Sequence, residues 1–141
     1  MKKLFILMAM MLTAFVANAF DFDGINLNAP YGTVAQEISK RGYTYDSERN
    51  CLKGNCQGTE IYLSFNYIDV TKKNMVGQLI VEIPMPNTDE AIKSAATIFN
   101  VVYHQVAPNT YAVSNDGTKL IISKKGNSII LTYNTPYYKE K

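Results

Sequence analysis

The sequence predicts an α+β fold: an antiparallel sheet of about six strands with two helices packed on one face, in the order α-β-β-β-α-β-β-β. Three observations predict it. Apolar and polar residues alternate from Thr59 to Val70 and again from Met75 to Ile83. Between Ile92 and Tyr103 the apolar residues recur at helical spacing instead. Near the end, two turn signals, Asp116-Gly117 and Gly126-Asn127, independently place one set of residues on one side of the last strands.

The first twenty residues, MKKLFILMAMMLTAFVANAF, read as an export signal. Lys2 and Lys3 form a basic start, Leu4 to Val16 an apolar run, and Ala17-Asn18-Ala19 a small-x-small cleavage site. The run falls short of the roughly 20 residues a membrane-spanning helix needs, and no later stretch is long and apolar enough to span. No cysteine stands near the cleavage point to carry a lipid. Residues 1–19 are therefore expected to leave, and residues 20–141 to form a single domain in the periplasm or outside the cell. The whole chain has 14 Lys and Arg against 12 Asp and Glu; losing Lys2 and Lys3 leaves the two balanced. With no basic surplus or cluster, nucleic-acid binding lacks electrostatic support.

Phe20, Phe22, Ile25 and Leu27 form an extended lead-in, broken by Pro30 and Gly32. Thr33 reads as a helix N-cap with Gln36 completing a capping box. Val34, Ala35 and Ile38 give this helix its apolar stripe, and Gly42 ends it after Lys40 and Arg41.

Both cysteines fall in RNCLKGNCQGTE. An exported chain meets an oxidising compartment, where disulfides persist. Two cysteines are half a zinc site, His104 lies far along the chain, and C-x4-C is not the spacing of a redox motif, so no metal or cofactor is implied. A hairpin turning at Lys53-Gly54 would set Cys51 opposite Cys56, with Cα atoms about 4.5 Å apart, within reach of a disulfide. That register places Tyr43 and Tyr45 on the face of Glu60 and Ser64, away from the apolar side chains. Either that face is partly covered, or a bulge near Gly54 or Gly58 shifts the pairing by one.

In the next strand Ile61, Leu63, Phe65 and Tyr67 share a face. If Asp69 pairs with Met75, that face meets Leu79, Val81 and Ile83. Pro84 and Pro86 close the strand, and Asn87 or Thr88 caps a second helix with Asp89 and Glu90 in its first turn. Its apolar positions are Ile92, Ala95, Ala96, Phe99, Val102 and Tyr103, with His104 at its end. A three-stranded meander follows. The Asp116-Gly117 turn pairs Val113 with Leu120 and Tyr111 with Ile122. The Gly126-Asn127 turn pairs Ile122 with Leu131 and Leu120 with Tyr133. The two halves meet near Pro86 and share little residue identity.

The stretches FDGINLNAPYGTVAQEISKRGY, LKGNCQG and KLIISKKGNSIILTY resemble small secreted proteins of Bacteroides-type bacteria. The resemblance implies an α+β layer similar to the β-lactamase-inhibitor-protein-like and outer-membrane-assembly-lipoprotein-like folds, and it carries no functional residues. The chain departs from the lipoproteins in lacking their lipid-attachment cysteine.

No catalytic constellation is legible: G-x-S-x-G, H-E-x-x-H, phosphate-loop and dinucleotide patterns are all missing from the sequence. Glu60, Asp69 and Glu82 form a carboxylate set that would support an enzyme reading, and a structural envelope component is a further alternative. The reading preferred is a non-enzymatic binding module. With the helices on one side of the sheet, the other side would carry Tyr62, Val76, Ile80, Ile121 and Ile130, joined by Tyr43 and Tyr45, as a docking surface for a protein, peptide or glycan. The tail TPYYKEK, with Tyr137 and Tyr138, is placed to fold over that surface or reach a partner.

Overall fold

The computed structural model describes Asp21, Phe22 and residues 24–56, 58–69, 74–86 and 88–138. The predicted signal segment, residues 1–19, lies outside them. Strands β1 (Asp21–Phe22) and β2 (Ile25–Asn26) form a two-stranded ribbon, followed by helix α1 (Tyr31–Lys40). Four strands come next: β3 (Thr44–Asp46), β4 (Cys51–Cys56), β5 (Thr59–Asp69) and β6 (Met75–Pro84). Helix α2 (Thr88–Val102) then introduces β7 (His104–Ala107), β8 (Thr110–Ala112), β9 (Lys119–Lys125) and β10 (Ser128–Asn134).

The architecture is mostly β, and it corrects the predicted one. One antiparallel sheet of eight strands, ordered β3-β4-β5-β6-β10-β9-β8-β7, replaces the expected six. Each helix is followed by four strands rather than three, so the halves repeat one plan and meet where β6 pairs with β10. These two strands can occupy the centre because their sequences, MVGQLIVEIP and SIILTYN, are apolar enough to be shielded on both edges.

Two local errors account for the missing strands. At Lys53-Gly54 there is no turn; β4 runs straight through it. The reversal comes earlier, in Ser47–Asn50, where the Asp46 carboxylate accepts the Glu48 and Arg49 amides at 3.0 and 3.3 Å and Asn50 takes φ +53°. In the second half α2 stops at Val102 and His104 opens β7, which reverses into β8 through Pro108 and Asn109 at φ +55°.

The expected disulfide is absent for the same reason. Cys51 and Cys56 lie five positions apart on one extended strand, about 16 Å apart at a strand's rise. They also point to opposite sides of it, beyond any disulfide geometry. Cys56 is buried in the core and Cys51 is half-buried on the other face.

Helix α1 starts two residues before the predicted cap. Pro30, at φ −58°, precedes its first turn, and its carbonyl accepts the Thr33 and Val34 amides at 3.0 and 3.1 Å. Thr33 is thus inside the helix and makes no cap. Gly42 does end it, at φ +89° with its N–H on the Ser39 carbonyl.

The β5–β6 register follows the expectation, including Asp69 opposite Met75, as does the β9–β10 register with Leu131 opposite Ile122 and Tyr133 opposite Leu120. The β8–β9 register does not: Tyr111 faces Leu120 instead of Ile122. The turn is wider than two residues because the Asp116 carboxylate gathers the Ser114 hydroxyl, the Thr118 hydroxyl and the Thr118 amide around Gly117. The shift is by two positions, so every side chain keeps its face.

Leu63, Val81, Leu131 and Ile122 form one cross-strand row of the inner face; Phe65, Leu79, Tyr133, Leu120 and Tyr111 form the next. Val34 and Ile38 of α1, Ala91, Ala95 and Phe99 of α2, and Phe22, Ile25 and Leu27 of the lead-in complete a single core over it. Phe99 meets Tyr111 edge-on at 5.4 Å, and Tyr31 meets Phe65 at the same distance. The Lys124 ammonium holds the Asp89 carboxylate at 2.5 Å, tying the start of α2 to β9, and this bond keeps the Asp89 carboxyl below its usual range. Both helices and the ribbon thus share the inner face, and neither helix covers the outer one.

Candidate functional site

The outer face curves into a trough of about 930 Å³ running from the β3–β4 turn across β4, β5 and β6 to β10 and the β9–β10 turn. Strand alternation sends Tyr62, Ser64 and Asn66 of β5, Ile80 and Glu82 of β6, and Ser128 and Ile130 of β10 to this side. Arg49 reaches in from the Ser47–Asn50 turn, beside Cys51, and Lys125, Gly126 and Asn127 close the far end.

At the centre of the trough the charges of Arg49 and Glu82 are matched to one another. The Arg49 guanidinium donates to Glu82 Oε2 at 3.2 Å and lies 4.0 Å from the centre of the Tyr62 ring. Ser128 donates to the same Glu82 oxygen at 2.9 Å. The Tyr62 hydroxyl donates to Glu60. That bond holds the Tyr62 phenol above its usual value, with burial adding to the shift and Arg49 opposing it. Burial and the nearby Asp46 charge push the Cys51 thiol up, again against Arg49, so it is a weak nucleophile at neutral pH. Farther along, an amide ladder crosses three strands: Asn66 donates to Gln78 at 3.2 Å and Gln78 to Asn134 at 2.7 Å.

The predicted docking residues divide. Tyr62, Ile80 and Ile130 line the trough, and Ile121 lies on the same face, opposite Thr132. Tyr62 is buried, its ring covered by Arg49; Ile80, Ile121 and Ile130 are half-buried. Val76 is wholly buried at the end of β6 where the chain after β10 docks, its carbonyl accepting the Thr135 hydroxyl at 2.5 Å. Tyr43 and Tyr45 are not on this face. With the β3–β4 turn at 47–50, Tyr45 opposes Leu52 and Tyr43 packs into the core. Tyr45 remains exposed at the sheet edge, bonded to Asn50 at 2.6 Å.

Of the carboxylate set, Glu60 and Glu82 flank Tyr62, each already bonded within the chain. The Asp69 side chain lies outside the described residues. Among the described residues no cluster of His, Cys, Asp and Glu is arranged to hold a metal, and no helix is long and apolar enough to cross a membrane. Arg49 was the residue sequence reasoning missed. The polar run Asp46-Ser47-Glu48-Arg49-Asn50 is a turn signal, and placing the reversal there brings Arg49 over β5. Compared with protein-family models, curated proteins and solved structures, the chain matches none.

Proposed function

We propose that the protein is an exported binding module whose uncovered sheet face receives a neutral polypeptide segment of a partner protein. The observation that carries this reading is the mixed apolar and polar lining of the trough, whose central charges are paired. Arg49 and Glu82 satisfy each other across the centre of the trough, with Lys125 outside that pair at its far end. Half-buried Ile80 and Ile130 alternate there with Ser64, Asn66 and Ser128. Aliphatic patches interleaved with amides and hydroxyls complement a peptide, whose side chains alternate with its own amide groups. A glycan is favoured less, because the one aromatic ring of the trough is already covered by Arg49 and offers sugars no open plate. Export is supported by the basic, apolar and small-residue succession of residues 1–19.

The test is a peptide array and a glycan array probed with residues 20–141, wild type and Ile130→Lys. Ile130 is half-buried and outward-facing, so the variant keeps the core intact. Retention of neutral peptides by the wild type, weakened at least tenfold in the variant, is expected. Glycan-only binding, or peptide binding indifferent to the substitution, overturns the reading.

A further inference from the structure

One charge of the trough is left out of its pairings. Arg49, Glu82 and Lys125 are the charged side chains that line it. Arg49 and Glu82 bond to each other, and Lys125 makes no ion pair among the described residues. Its neighbour shows the contrast. Strand alternation sends Lys124 toward the helices, where Asp89 takes its charge, and Lys125 to the outer face, opposite Ser128. The lining therefore carries one uncompensated positive charge, at the end closed by the β9–β10 turn. Further donors stand beside it. Gly126, at φ +58°, and Asn127 form the turn, and their amides donate to no carbonyl among the described residues. Free turn amides next to a cation make a setting that captures a carboxylate.

The trough is also short. From β4 across β5 and β6 to β10 is three strand spacings, about 14 Å, which holds about four residues of extended chain. We infer that the occupant of the trough is the free carboxyl end of a partner polypeptide, its terminal carboxylate at Lys125 and its last few side chains over Ile130 and Ile80. This rests on the peptide reading above: the side chains stay neutral, and the single charge is the chain's own end. An internal segment would have to leave over the β9–β10 turn, whereas a chain end stops there. Arg49, at the opposite end, is already engaged by Glu82 and Tyr62, so the carboxylate has one seat and the bound chain one direction.

Acetylated peptides with uncharged side chains, arrayed in two forms, read the outcome: one form ends in a free carboxylate, the other in a carboxamide. A third set carries one internal Asp and a carboxamide end. Residues 20–141 are expected to retain the free-carboxylate form at least threefold more strongly at low ionic strength, with the margin shrinking as salt is added. Lys125→Gln is expected to abolish that margin while still retaining carboxamides, which also shows that the variant is folded. Lys119→Gln, on the same strand and face but outside the trough, is expected to keep it. Equal retention of the two forms, a margin that survives Lys125→Gln, or an equal gain from the internal Asp overturns this inference and leaves the peptide reading standing. Retention of no peptide in any form overturns both.

Discussion

Gly54 illustrates how one residue redirects a strand. It lies in the middle of β4, opposite Ile61, where a glycine ordinarily weakens pairing. Its hydrogen leaves room for the ring of Tyr43, the next residue along the β3 register; a Cβ built on Gly54 would stand 2.3 Å from that ring. The aromatic ring thus supplies the cover that glycine lacks. Gly54→Ala must displace a buried ring, and a loss of about 1–3 kcal/mol, read by urea denaturation, is expected. A neutral result would mean the ring does not rest there. This pairing also explains the sequence misreading. A glycine after lysine in a polar stretch resembles a turn, and nothing local reports that a tyrosine eleven positions earlier fills the gap. The outward-facing aliphatic positions were more legible: half-buried Ile80, Ile121 and Ile130 follow from alternation alone, whereas Arg49 required the turn to be placed first.

Strand β4 carries a chemical prediction. Cys51 and Cys56 occupy opposite faces of it, one half-buried and one in the core. A thiol reagent under native conditions should therefore modify one cysteine, Cys51, slowly because burial and Asp46 hold its thiol above the usual value. Cys56 should react only after unfolding, and reductant should leave the melting temperature unmoved. Protection of both thiols, reversed by reductant, would restore the disulfide. Elements with a strong period and a local stop were legible in advance. β5, β6, β9 and β10 fall where periodicity puts them, helix α2 does so only as far as Val102, and the Gly126-Asn127 turn fixed its register outright. Short strands were not. β3 and β7 have three and four residues, too few for a period to emerge, and both owe their place to a neighbouring strand and not to their own composition.

Across the whole molecule, burial of phenols sets a limit in alkali. Tyr133, at the centre of the core, and Tyr111, beneath α2, are both held above the usual tyrosine value by desolvation. The unfolded chain begins to release these protons near pH 10 while the folded chain retains them. Above that pH the unfolded state binds fewer protons, so stability falls as pH rises, by up to about 1.4 kcal/mol per pH unit for Tyr133 alone. Below it these groups contribute no slope. Thermal melts between pH 8 and about 11.5 should show a plateau and then a decline, with the ultraviolet tyrosinate signal reaching all ten tyrosines only on unfolding. Phenolate absorbance that accounts for all ten tyrosines before unfolding would contradict the burial.

The seam between the halves has a kinetic corollary. β6 is complete by Pro84, yet its partner is the last strand of the chain, beginning at Ser128. During synthesis the first meander must wait, its most apolar border unsatisfied, until some fifty further residues have emerged. A nascent or truncated product ending before Ser128 therefore exposes a sticky flank that only the carboxyl-terminal strand can seal, and a holding chaperone would find its target there.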